Sequence, residues 1–172
     1  MNKQTFNEKL EIRLHQACGK FSCSRENLLV GTLALLLARF AGSDEVVFRS
    51  GAEKDSLAVT VGQPIGDFME SAHKQMERWL TGGSGAVSEF AALYDFKNIP
   101  EIIVALGEIG SSGFVLRCKT EPFAMSAEAG EGEYADELAE SLPGAFYHVL
   151  GQLSPKKILT TWTGSQGRNW SG

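Results

Sequence analysis

The side chains best suited to acid–base, nucleophilic or metal-binding chemistry are three histidines and three cysteines. The histidines, His15, His73 and His148, fall on three separate predicted helices. None of them has a second ligand at a spacing that would build a metal site on one helix face. We therefore expect surface or boundary histidines, with no catalytic residue and no metal ligand among them.

The cysteines, Cys18, Cys23 and Cys118, contain no C-x-x-C pair, and their odd number fits the reduced thiols of a cytosolic protein. Cys118 lies inside a predicted strand and has no histidine near it in sequence. A buried strand cysteine is the better interpretation than a nucleophile. We expect all of the cysteines to act as small buried hydrophobic residues.

Sequence motifs for nucleotide binding or ester hydrolysis are missing. The chain contains neither a G-x-S-x-G elbow nor a phosphate-binding G-x-x-x-x-G-K-[ST] loop. The glycine-rich segment at 82–85 follows no predicted strand and precedes no cationic helix start, so it is interpreted as a flexible loop. The sequence therefore predicts no catalytic residue, no cofactor and no metal.

Composition indicates an ordinary globular protein. The chain has 172 residues, of which 43% are hydrophobic and 22% are charged, enough for one domain with its own core. A net charge of -5 argues against nucleic acid or an anionic membrane as partner. The chain opens without a basic-then-apolar leader, and its longest apolar run is too short for a bilayer. We expect a cytoplasmic protein.

Hydrophobic periodicity predicts four main helices. The first is amphipathic and ends near Gly19, and the second is apolar nearly all round, with Ser24 as its N-cap and Gly42 at its end. A third begins at Pro64 and stops before residues 81–85. A final helix begins near Glu133, and Pro143 should kink or split it. A shorter helix is predicted over residues 87–94.

Strand signals alternate with these helices. The predicted strands cover residues 45–48, 56–61 and 101–106, the last of them buried on both faces, and an antiparallel pair at 113–120 and 123–129. The fold class is therefore α/β, with helices packed on a mixed sheet. The Gly- and Ser-rich segment at 163–172 is interpreted as a flexible linker or tail, which leaves residues 1–162 as a single domain.

The order of elements resembles a known family. "LLVGTLALLLARFAGSDEVVF" at 28–48 is similar to the stretch of nonribosomal peptide synthetase condensation domains in which a buried helix ends in a short Gly-containing turn and enters a strand. "QPIGDFMESAHKQMERWL" at 63–80 and "DFKNIPEIIVAL" at 95–106 resemble later segments of that family. Asp95 and Pro100 keep the spacing of the family's R-D-x-S-R-N-P motif, whereas Tyr94, Lys97, Asn98 and Ile99 depart from it.

The resemblance covers about residues 5–160 and implies the C-terminal lobe alone, a chloramphenicol-acetyltransferase-like half-domain. In the family, catalysis uses an H-H-x-x-x-D-G motif in the N-terminal lobe, and this chain contains no His-His pair. Two segments that face the tunnel between the lobes are also shortened here, at 49–56 and 81–87. The resemblance therefore implies a truncated, non-catalytic domain of a secondary-metabolite or antibiotic synthetase.

Three functions remain open. The first is a structural platform for an adjacent adenylation domain or another synthetase domain. The second is the C-terminal half of a split condensation-type acyltransferase whose catalytic lobe is a separate chain. The third is a docking module for a carrier protein, against which the acidic net charge counts because such carriers are themselves acidic. A lobe that lacks its mate could also form a homodimer.

Aromatic residues near the loop at 81–85 are the candidates for an interface. They are Trp79, Phe90 and Tyr94, chosen because aromatic side chains are enriched in protein interfaces. Packing in the core is the alternative role for all of them. The apolar second helix has the same two explanations, namely complete cover by its own domain or a face turned towards a partner.

Overall fold

The computed structural model describes residues 3–50, 53–60, 62–80, 89–94, 102–105, 114–120, 123–129 and 135–158. These residues form four helices, α1 (Lys3–Phe21), α2 (Arg25–Ala41), α3 (Ile65–Leu80) and α4 (Ala135–Gln152). They also form six strands, β1 (Glu45–Ser50), β2 (Glu53–Ala58), β3 (Glu89–Tyr94), β4 (Ile102–Ala105), β5 (Phe114–Thr120) and β6 (Phe123–Ala129).

The strands join into one mixed sheet of order β2-β1-β4-β3-β5-β6. β1 runs parallel to β4, and the other neighbouring pairs are antiparallel. The predicted α/β class is therefore confirmed. The predicted hairpin is confirmed as well, because β5 pairs with β6 from Phe114↔Ala129 to Thr120↔Phe123.

Local signals fix both ends of the apolar helix α2. The Ser24 side chain accepts a hydrogen bond from the backbone N–H of Asn27 at 3.2 Å, which is the N-cap that the sequence predicts. Gly42 ends the helix with φ 66°, a left-handed conformation that glycine adopts without steric cost. Between them every residue from Asn27 to Ala38 is buried, so the prediction that this helix is covered is confirmed.

The other helices and the sheet provide that cover. α1, α3 and α4 all contact α2, which also lies against β1, β3 and β4. The face of α3 that carries Phe68, Met69 and Ala72 is buried, as its periodicity predicts. Gly31 of α2 permits this close packing, because a Cβ atom there would meet the sulfur of Met69. α4 packs on β5 and β6 beside α1.

Side chains of α1 bind the free edge of β6. The Phe123 N–H donates to Glu11 Oε2 at 3.3 Å, and the Met125 N–H donates to Asn7 Oδ1 at 3.4 Å. These two acceptors are one helical turn apart, which matches alternate N–H groups along a strand. Glu11 also forms an ion pair with Arg25 at the start of α2. α1 is thus fixed to the sheet edge and to α2 at once.

The predicted short helix over residues 87–94 is wrong. Residues 89–94 form β3, which pairs with β4 on one side and β5 on the other. The alanine and leucine of "EFAALY" favour a helix by local propensity. Two neighbouring strands supply hydrogen bonds to both edges of the segment, and this tertiary pairing outweighs the local preference.

Three other predicted boundaries differ from the structure. α1 continues past Gly19 to Phe21, and Ser22 with φ 53° follows it instead of a glycine. β2 spans Glu53–Ala58 and not 56–61, because its pairing with β1 begins at Ser50↔Glu53. α4 runs unbroken through Pro143, so the proline does not divide the helix, whose buried Leu142 and Phe146 hold it in the core on both sides of the missing N–H.

The strand predicted at 101–106 is confirmed as β4. Its adjacent residues Val104 and Ala105 are both buried, as expected of a strand covered on both faces. Residues 81–88, 95–101 and 159–172 lie outside the described residues. The loop at 82–85, Asp95, Pro100 and the predicted tail belong to these segments.

Within the described part of the chain, no single helix combines the length and the hydropathy needed to cross a bilayer. α1 and α2 reach this length and hydropathy only when they are taken together, and the chain bends by 98° between them.

Replacement of Ser24 by alanine removes the N-cap acceptor of the central helix. We expect Ser24→Ala to lower the free energy of unfolding by about 1 kcal/mol in urea denaturation. Ser24→Asp keeps an acceptor at the same place and serves as the control. Equal losses in the two variants would show that the cap hydrogen bond does not stabilise α2.

The pKa of Glu11 is lowered, first by its hydrogen-bonded ion pair with Arg25 and further by the Phe123 N–H, while burial opposes the shift. A carboxyl group whose pKa falls on folding stabilises the protein above its unfolded pKa, and that contribution disappears as the pH falls through the folded pKa. We expect Glu11→Gln to lower the melting temperature at neutral pH. The difference from wild type should shrink once the pH is well below 4.5, the ordinary value. The exposed Glu8→Gln on the same helix is the control, for which we expect little change at either pH.

Candidate functional site

Successive side chains along each strand point to opposite sides, so the sheet has two faces. One face belongs to the same hydrophobic core as the helices. The strand residues in that core occupy alternate positions, namely Val46, Phe48, Leu57, Val104, Leu116, Cys118, Phe123 and Met125. The register pairs these residues with one another across the sheet, for example Phe48 with Val104 and Cys118 with Met125.

The residues between them form the opposite side of the sheet, which we call the outer face. Its described side chains are Glu45, Val47, Arg49, Lys54, Ser56, Ala58, Ala105, Val115, Arg117, Lys119, Ala124, Ser126 and Glu128. Ala105 and Val115 are each only 2% exposed, yet neither belongs to the core that the helices share. Val47 is half-buried. The centre of the outer face is therefore apolar and buried, and Val47 beside it is partly accessible.

Cationic side chains lie towards both edges of this apolar centre. The register aligns Lys54, Arg49, Ala105, Ala91, Arg117 and Ser126 in one row across the sheet. We call Lys54, Arg49 and Arg117 the basic row. Arg49 and Lys54 are exposed, and Arg117 lies 3.9 Å from Glu128 between Nε and Oε2. On this face of a chain with a net charge of -5, the cations Lys54, Arg49, Arg117 and Lys119 outnumber the described acids Glu45 and Glu128.

The predicted interface residues lie on two elements. Trp79 is in the last turn of α3, whereas Phe90 and Tyr94 lie on β3 in the interior of the sheet. Phe90 pairs with Cys118, which is a core residue, and Tyr94 pairs with Ile102 and Phe114. The side chains of all three aromatic residues lie outside the described part of the structure. Their role in an interface stays a prediction.

The histidines occupy the surface and boundary positions that the sequence predicts. His73 Nε2 lies 2.9 Å from Glu77 Oε1 one helical turn away, and His148 contacts Gln152 at 3.0 Å in the same way. His15 is exposed on α1. Among the described residues, no group of three or more His, Cys, Asp or Glu side chains is placed to hold a metal ion.

The cysteines divide into two kinds. Cys118 is fully buried, as predicted, and burial raises the pKa of its thiol. Cys18 and Cys23 pack against the core, but both are only half-buried and their thiols are hydrogen-bonded to each other, so the prediction of small buried hydrophobic residues holds for them only in part. The sequence signal that could have found this pair is the spacing of five residues across the end of a helix, where the chain turns back on itself.

Comparison of the chain with protein-family models, with curated proteins and with solved structures finds no significant match.

Proposed function

We propose that this chain is a non-catalytic interaction module, a chloramphenicol-acetyltransferase-like half-domain similar to the C-terminal lobe of a condensation domain, and that it serves as a platform for a neighbouring adenylation domain. The observation that carries the proposal is the asymmetry of the sheet. The described helices share a core with one face, while the outer face presents the half-buried Val47 together with charged residues towards its edges. Apolar side chains beside a polar rim are common in protein interfaces.

The order and packing of elements support the resemblance on which this proposal rests. A fully buried helix, α2, ends at Gly42 and leads into β1, as the family pattern requires. β4 lies in the interior of the sheet, and β5, β6 and α4 follow as a hairpin and a closing helix. The sequence contains no His-His pair, so we propose that the chain forms no peptide bond by itself.

Partly accessible side chains of the outer face could contact a partner. Val47 is half-buried and offers an apolar contact, whereas Ala105 and Val115 are buried beneath the surface. Arg49 and Glu128 at the rim can form hydrogen bonds and ion pairs that fix the orientation of the partner. The described helices offer a less suitable surface, because their apolar faces are already buried in the core.

Binding to the adenylation domain encoded beside this chain tests the platform function. We expect calorimetry to give micromolar binding, and we expect each protein to raise the melting temperature of the other. Val47→Glu places a charge beside the apolar centre and should weaken binding at least about tenfold, or about 1.4 kcal/mol. Ile12→Glu is the matched control, since Ile12 is 60% exposed on α1 and lies away from the outer face.

Three results would contradict the proposal. One is absence of binding both for the free domains and for domains joined by their native linker. Another is equal weakening by Val47→Glu and Ile12→Glu, which would place the interface elsewhere. Turnover of aminoacyl thioesters by this chain above a heat-inactivated control would overturn the non-catalytic assignment and favour the split acyltransferase.

A second candidate partner, an acidic carrier protein, is favoured by the basic row. The acidic net charge of the whole chain opposes such a partner, but Lys54, Arg49 and Arg117 concentrate positive charge on one face. Electrostatic complementarity of this kind acts over short range and is screened by salt.

Salt dependence distinguishes the carrier from the adenylation domain. If the carrier is the partner, its affinity should fall steeply as salt is raised, and Arg49→Glu should weaken binding about tenfold or more. Lys9→Glu makes the same charge change on the exposed side of α1 and should have a much smaller effect. Binding that is insensitive to salt and to Arg49→Glu would exclude the basic row as a carrier site.

A further inference from the structure

The turn between α1 and α2 brings two cysteines together. Ser22 takes the left-handed conformation with φ 53° directly after α1, and the Cys23 N–H donates to the Cys18 carbonyl oxygen at 3.4 Å. A hydrogen bond from the second residue after a helix to the carbonyl five residues earlier is the Schellman arrangement, which places these two side chains in contact. Where this motif occurs, the contact between the two positions is commonly hydrophobic, and here it joins two thiols.

Both thiols are free and half-buried, and one hydrogen bond joins them. That bond lowers the pKa of Cys23, and a hydrogen bond from the Asn27 side chain lowers it further, while burial opposes both. The same bond and burial raise the pKa of Cys18. The directions of these pKa shifts favour the thiolate on Cys23.

Cys23 also lines an open groove of about 340 Å³ between the α1–α2 turn and the first turns of α3. Lys20, Asn27, Glu70, His73 and Pro155 line the same groove, and Cys18 does not. Asn27 is only 2% exposed, and its Oδ1 atom accepts no hydrogen bond from the described residues. The groove thus presents a thiol, a buried hydrogen-bond acceptor and charged side chains of both signs to whatever enters it.

We propose that Cys23 is a site of thiol–disulfide exchange with a low-molecular-weight, amide-bearing disulfide of the glutathione type, and that Cys18 is the thiol that resolves the mixed disulfide. The groove accommodates the small molecule, and Asn27 Oδ1 accepts a hydrogen bond from one of its amide N–H groups. Lys20 and Glu70 match the carboxylates and ammonium groups of such a peptide-like ligand. This activity is independent of the proposed interaction function.

The exchange balances in two steps. The Cys23 thiolate attacks one sulfur of the small disulfide, the S–S bond breaks, and one half leaves as a thiolate that takes up the proton lost from Cys23. Cys18 then loses its proton and attacks Cys23 Sγ, which expels the other half as a thiol. Two protein thiols are oxidised to one Cys18–Cys23 disulfide, and the small disulfide is reduced to two thiols.

Mass spectrometry of the intact chain after incubation with oxidised glutathione tests the assignment. We expect wild type to lose two hydrogen atoms and to show a Cys18–Cys23 cross-link in peptide maps. Cys18→Ser should accumulate one glutathione on Cys23, because no resolving thiol remains. Cys23→Ser should react at least about tenfold more slowly. Cys118→Ser, which alters a buried thiol far from the turn in sequence, should behave as wild type.

Two results would overturn the order of reaction. One is modification of Cys23→Ser at Cys18 as fast as Cys18→Ser is modified at Cys23. The other is a Cys18→Ser variant that stays folded, by melting temperature and circular dichroism, and accumulates no adduct.

A ratio of rates tests the role of Asn27 separately from thiol acidity. The rate of thiol modification with oxidised glutathione is divided by the rate with dimethyl disulfide, which has no hydrogen-bond donor. We expect Asn27→Ala to reduce this ratio about fivefold or more, because both probes react with the same thiol and only glutathione can donate to Asn27 Oδ1. An unchanged ratio in a folded Asn27→Ala variant would show that the groove does not bind the small disulfide through Asn27.

Discussion

Burial of α2 is the constraint on which the rest of the structure depends. A helix whose residues are inaccessible from Asn27 to Ala38 has no side left for water, so each other layer must cover part of it. The sheet lies along one side, α3 packs against it through the gap at Gly31, and α1 and α4 also contact it. Because the apolar faces of the helices are buried in this core, the described helices offer little apolar surface to a partner.

The parts of the fold that the sequence predicts are those with local causes. Ser24 and Gly42 determine the ends of α2 through single hydrogen bonds and one backbone conformation, and both residue types are diagnostic of those positions. The pairing of β5 with β6 follows from the alternation of apolar residues on either side of Glu121 and Pro122 in the sequence. β3 could not be predicted in the same way, because its conformation depends on β4 and β5, which come later in the chain.

The candidate sites are less visible in the sequence than the fold. The basic row combines residues from β1, β2 and β5, and only the sheet register aligns them. The Cys18–Cys23 contact depends on the left-handed conformation of Ser22, a residue type that seldom marks a helix end, whereas Gly19 suggested an earlier end. Residue type is the reason for predicting Trp79, Phe90 and Tyr94 as interface residues, and residue type does not determine which neighbour a side chain contacts.

The hydrogen bonds from β6 to α1 have a consequence for the solution behaviour of the protein. An edge strand with free N–H groups is a template on which another chain can add a strand, and this is a common route to aggregation. Asn7 and Glu11 occupy that template at Phe123 and Met125, while the opposite edge, β2, carries the charged residues Lys54 and Asp55. α1 therefore blocks the addition of a further strand to β6. Its removal by truncation or proteolysis would expose the backbone N–H groups of Phe123 and Met125 and favour aggregation.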